Sequence, residues 1–133
     1  MDEYYEEDYD LELDRVREDF EFIWSKNIVQ VELIREKNPQ QGDYFNNDAN
    51  VIIRRMIWLN LQGISSHDYK RMVAGIITPD AKLHAYAKYD DDIQNLDVIK
   101  FGDWVYRIDG FNKSMYAGQI AFQDFDIKRQ DKA

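Results

Sequence analysis

Residues 97–129 read DVIKFGDWVYRIDGFNKSMYAGQIAFQDFDIKR. Val98 and Ile99 lead into Phe101, and Gly102-Asp103 supplies a tight turn. Val105-Tyr106-Arg107-Ile108 makes the return strand. Gly110 and the polar cluster Asn112–Ser114 break it, as glycine and small polar residues do at turns. Ile120, Phe122, Phe125 and Ile127 fill a closing strand. Its apolar phase slips by one residue between Phe122 and Phe125, which predicts a β-bulge near Gln123-Asp124. The stretch is a β-meander, and it points to a β-rich domain.

Other segments alternate in the same way. In residues 81–89, Leu83, Ala85, Ala87 and Tyr89 face one side, with Lys82, His84, Tyr86 and Lys88 opposite. Asp90-Asp91-Asp92 ends that strand, because aspartate suits turns and not strands. Residues 51–62 are the most apolar. Val51, Ile53, Ile57, Leu59 and Leu61 share a face broken by Arg55, and Ile52, Met56 and Trp58 lie opposite. Apolar groups on both faces suggest a strand covered on both sides, with Trp58 buried. Residues 28–35 alternate through Val29, Val31 and Leu33. A polar loop follows to about Asn50, carrying Tyr44 and Phe45 either as a plug into the core or as a contact for a partner. Residues 63–80 read as a short helix over Asp68–Val73 with Ser66 as N-cap, or as a long exposed loop.

Ahead of the strands, residues 11–26 place Leu13, Val16, Phe20, Ile23 and Trp24 at helical spacing. That face packs on the domain's own sheet or on a neighbouring subunit. Residues 1–10 hold six acids and Tyr4, Tyr5 and Tyr9. They read as a solvated tail or as a docking arm with tyrosine anchors. Residues 130–133 read as a frayed end. The sum is one mainly β domain of about five to seven antiparallel strands over residues 11–129, with an N-terminal amphipathic α-helix. A barrel and a sandwich both fit, and a small, partly open β-barrel is favoured.

With 133 residues, 44% apolar and 14% aromatic, the chain can build a core. Its net charge of −9 disfavours a general nucleic-acid binder, which needs clustered Lys and Arg. The absence of cysteine removes disulfides, thiolate zinc sites and thiol catalysis. The N-terminus has no basic and apolar leader pattern, so no signal peptide is expected. No run approaches membrane-spanning length, so no membrane is expected.

Chemistry-bearing constellations are sparse. His67-Asp68 lacks further metal ligands. Asp90-Asp91-Asp92 lacks the glycine and the closing glutamate of a calcium loop. No nucleophile elbow, zinc-protease, phosphate-loop or dinucleotide motif occurs. The expectation is a non-enzyme with no cofactor. Trp104, directly after the tight turn, is expected to be partly exposed.

The segment from Gly75 to Arg129 resembles the small neck proteins of tailed bacteriophages: head-completion or head-closure "stopper" proteins and related head–tail connectors. The residues that carry the resemblance are Asp97-Val98-Ile99, Gly102-Asp103, Tyr106-Arg107-Ile108, and Phe122-Gln123-Asp124-Phe125 running into Lys128-Arg129. The resemblance implies a structural virion protein located in the neck and assembled in the host cytoplasm. It implies a homo-oligomeric ring, six- or twelve-fold, between portal or adaptor and tail proteins. Double-stranded DNA would pass through without sequence-specific binding, along an acidic wall. Within residues 63–80, Ser65, Ser66, His67, Asp68, Tyr69, Lys70 and Arg71 become a candidate channel loop. Tyr4, Tyr5, Tyr9, Phe20, Trp24, Tyr44, Phe45, Trp104 and Tyr116 become candidate subunit or partner contacts. Two other readings use the same features: another tail or baseplate module, and an acidic DNA-mimic inhibitor resting on the acids of residues 1–21.

Overall fold

The computed structural model describes the backbone of residues 2–39, 48–116 and 118–130, and side chains from Leu11 onward within those limits, with Asp48 excepted. The elements run α1 (Asp2–Trp24), β1 (Val29–Glu36), β2 (Val51–Leu61), α2 (Ser66–Val73), β3 (Lys82–Lys88), β4 (Val98–Phe101), β5 (Trp104–Tyr116) and β6 (Gln119–Arg129). The six strands form one antiparallel sheet that closes on itself in the order β1-β2-β3-β6-β5-β4. Closure comes from β4, whose Val98, Ile99 and Lys100 pair with Ile34, Leu33 and Glu32 of β1. Where a partly open barrel was expected, the shortest seam is β2–β3, with only Asn60↔Tyr86 and Leu61↔Ala85 paired among the described residues.

Strand alternation fills the interior. Val29, Val31, Leu33, Ile57, Leu59, Leu61, Leu83, Ala85 and Ala87 meet Ile99, Tyr106, Ile108, Phe125 and Ile127 in one cluster. A period of two puts these residues on one side of every strand. One end of the barrel is closed by Ile64 and by Met72 of α2, both buried in that cluster. The other end is closed by Ile93 in the segment between β3 and β4. That segment is held from inside the mouth. Arg35 binds Asp97 at 2.8 Å and Asp92 at 3.0 Å. Gln123, also buried, donates to the Lys88 carbonyl at 2.7 Å and the Asp91 carbonyl at 2.8 Å.

The residues that carry the resemblance noted in the sequence hold the architecture. Asp97 takes Arg35 and accepts from the Gln94 amide at 2.9 Å, and its carbonyl accepts from the Ile108 amide. Tyr106 donates to the Asp80 carbonyl at 2.7 Å and stacks on Phe101. Arg129 donates to the Pro79 carbonyl at 2.6 Å, so both tie down the lead-in to β3. Arg107 points to the outer side and is buried against Glu36 at 2.8 Å, while also donating to the Leu96 carbonyl. Its Nε and Nη2 have no hydrogen-bond partner among the described residues.

Several expectations need correction. The helix begins at Asp2, not at residue 11, since no Gly or Pro interrupts residues 2–24 and the leading acids suit the positive helix end. Ile23 lies on the exposed side; the buried stripe is Leu13 and Trp24 with Phe20 between. β5 continues past the Asn112–Ser114 cluster to Tyr116, so the polar cluster is not the turn; Gly118 is the described turn residue before β6. Gly110, at φ +81°, does not end the strand but sits at a register shift between Asp109 and Asn112. No bulge occurs at Gln123-Asp124, where β3 and β6 stay in register from Phe122 to Lys128. The phase slip has another cause. Phe122 faces outward under α1 and stacks on Phe20 at 4.6 Å, whereas Phe125 and Ile127 face inward.

Gly102 at φ +57° places an added Cβ 3.0 Å from the Val73 carbonyl oxygen and 3.1 Å from its Cα. Gly63 at φ +76° has nothing nearby. Gly102→Val should therefore cost about 2–4 kcal/mol, from the left-handed backbone plus overpacking. Gly63→Ala should cost only about 1–2 kcal/mol. Urea denaturation of the two variants measures the difference. Arg107→Met leaves Glu36 as a buried lone charge and should cost about 3–5 kcal/mol, much of it recovered by adding Glu36→Leu.

Candidate functional site

The segment expected as a channel loop is a helix fixed to the barrel. Ser65, not Ser66, is the N-cap, and its hydroxyl accepts from the Asp68 amide at 3.1 Å. Met72 enters the core, Tyr69 donates to the Gln30 carbonyl, and Trp104 donates to the Met72 carbonyl at 2.8 Å. Burial pushes the Tyr69 hydroxyl up to about 12, so it stays a donor at neutral pH. Ser66, His67, Lys70 and Arg71 remain exposed on the outer side of α2. Trp104 is half-buried, as expected, and its ring is committed to this chain.

Beside α2 lies an open groove of about 390 Å3. It is lined by the apolar Met56, Val73 and Phe101 and the polar Gln30, Glu32 and Lys100, beside Tyr69. The groove continues into the outer face of β2. There Ile52, Met56 and Trp58 are 61%, 53% and 48% exposed. Trp58 was expected to be buried. It is not, because alternation turns the even-numbered residues of β2 outward and no described element covers them there.

The second surface is on the far side of the barrel, where α1 crosses β6 and β3. Tyr116 donates to Glu12, Arg17 to the Ile120 carbonyl at 2.8 Å, and Trp24 to the Tyr86 carbonyl at 2.8 Å. Arg17 also stacks on Tyr89, 3.7 Å from the ring centre. Glu21 binds Lys88 at 3.1 Å and raises its pKa above the ordinary lysine value. Phe20, Trp24 and Tyr116, candidates for partner contacts, thus make contacts within the chain. The side chains of Tyr4, Tyr5, Tyr9, Tyr44 and Phe45 lie outside the described residues. Phe22 and Ile23, on the outer side of the same helix, are exposed.

Just past that helix end, His84 is held between two carboxylates. Its Nδ1 lies 2.7 Å from Asp126 and its Nε2 lies 2.9 Å from Asp124. Asn112 donates to the other Asp124 oxygen, and Lys82 lies 3.3 Å from Asp126. Both ring nitrogens are thus engaged by carboxylates of β6. Among the described residues no three His, Asp or Glu side chains are arranged to hold a metal ion. No described helix is long and apolar enough to cross a membrane.

No protein-family model matches the chain, and no curated protein matches it.

Sequence reasoning missed the groove and the exposed β2 stripe. The signal was present in Ile52, Met56 and Trp58, since apolar residues on the second face of a strand mark either cover or a contact. Alternation alone does not say which. It also missed the His84 clamp, which needs the β3–β6 register to bring residues 84, 124 and 126 together.

The hydrogen bond from His84 holds the Asp126 carboxyl below the usual carboxylate range. A carboxylate so lowered adds stability above its ordinary pKa and loses it as pH falls through its lowered one. The urea midpoint should drop between about pH 5 and pH 2, and His84→Ala should flatten part of that drop. Urea titrations of both proteins across that range measure the difference.

Proposed function

We propose that this protein is a structural subunit that assembles head-to-tail into a ring in the neck of a tailed phage, with double-stranded DNA passing through the opening between copies. The observation that carries this reading is a closed barrel, plugged at both ends, with two unlike contact surfaces on opposite sides. β1 and β4 carry the groove, and β6 and β3 carry α1. Unlike surfaces on opposite sides are what a heterologous, rotating contact uses, and such contacts close into rings. The barrel interior is filled by Leu33, Leu59, Tyr106 and Phe125, so any passage must lie between subunits. Net charge −9 suits a conduit that DNA does not stick to. The resemblance of the β4–β5–β6 meander to neck proteins supplies the setting between portal or adaptor and tail. α2, with Lys70 and Arg71 exposed, is a firm edge for such a subunit rather than a swinging gate.

Negative-stain electron microscopy and mass photometry of the purified protein test this, alone and with portal and tail partners. Closed rings of one stoichiometry are expected, with no retention of duplex DNA at physiological salt. A protein that stays monomeric with every partner would overturn the reading. Tight, salt-sensitive binding to a DNA-processing enzyme would favour the inhibitor reading instead.

A further inference from the structure

The first contact of α1 with its own barrel among the described side chains is at Glu12 and Leu13. Glu12 meets Tyr116 at the end of the β5–β6 hairpin, and Leu13 is buried. From there the helix runs inward along the barrel, past Ile120 to Phe122 and then Tyr86. In the other direction the helix continues to Asp2, which carries it roughly 14 Å beyond the hairpin end.

The spacing of that extension is specific. Tyr5, Tyr9 and Leu13 stand at i, i+4 and i+8 and share one helix face. Around them are six acids and no basic residue in residues 1–10.

The groove on the opposite side has complementary chemistry. Its lining is apolar through Met56, Val73 and Phe101, and includes Lys100. Lys70 is exposed on the adjoining helix α2, and Arg54 already offsets Glu32 at 3.0 Å. Aromatic anchors with acidic neighbours suit an apolar slot that carries Lys100 and whose one acid, Glu32, is paired with Arg54. Because arm and groove lie on opposite sides of one barrel, a copy that gives its arm to a neighbour still offers its own groove to the next.

We propose that residues 2–10 of α1 from one copy dock in the β1–β2–β4/α2 groove of the next copy, with Tyr5 and Tyr9 as anchors. This rests on the ring reading above and names the contact that would build the ring.

The natural chain has no cysteine, so single cysteines report the contact without background. Full-length Tyr9→Cys and Val73→Cys proteins, each with the parent circular dichroism, are mixed and mildly oxidised. The expected main product is the mixed disulfide dimer, which should fade at high salt as the charges are screened. Lys100→Glu should weaken association about tenfold, and Glu6→Lys in the arm should restore it. Homodimers in equal yield to the mixed dimer, or no restoration by the double charge swap, would overturn the proposal. Rings in the microscope without the mixed dimer would remove this contact and leave the ring reading standing. Monomers throughout would remove both.

Discussion

The pairing of β4 with β1 is the constraint on which the rest depends. Three residue pairs turn an open meander into a closed sheet. To reach that position the chain must cross the barrel mouth between β3 and β4. Arg35 holds the crossing at both ends, through Asp92 and Asp97. The bond to Asp97 raises the Arg35 pKa further above its ordinary value, and Arg35 in turn lowers that of Asp92. Ile93 is buried as a plug because this latch keeps the crossing in place. A charged side chain at a barrel mouth is costly unless paired and hydrogen-bonded, and here each oxygen of Asp97 has a donor.

Closure also decides which surfaces remain. A closed sheet has a filled interior and an outer face that must be covered or left to solvent. Here α1 covers β6 and β3 with Leu13, Phe20 and Trp24, and α2 covers one barrel end with Met72. The outward side of β2 keeps Ile52, Met56 and Trp58 in the open. Exposed apolar groups gathered beside a groove are the usual mark of a partner surface. The groove on β1 and β4 lies across the barrel from the α1-covered β6 and β3, so a repeating contact between copies is geometrically available.

The meander residues fix where the neighbouring segments run. Asp97, Tyr106 and Arg129 are tied to backbone groups that set where the neighbouring segments run. Arg107 pairs instead with Glu36, fastening β5 to the end of β1. Such residues build the scaffold through contacts within the chain. Function then resides on the surfaces the scaffold presents.

Periodicity within single segments was enough for the existence of the strands and the N-terminal helix and for most of the interior set, though not for all their bounds. Val29, Val31 and Leu33, or Leu83, Ala85 and Ala87, announce their side because a strand's period is two. Leu13 and Trp24 announce theirs through helical spacing. Local chemistry also determined the Gly102 turn. Tertiary structure alone decided the remainder. Phe122 and Phe125 differ in side because a helix distant in sequence covers one of them. Trp58 is exposed because no described element crosses β2 as α1 crosses β6. His84 meets Asp124 and Asp126 only through strand register. Each of these depends on which segments lie side by side, and a periodicity within one segment carries no information about its neighbour.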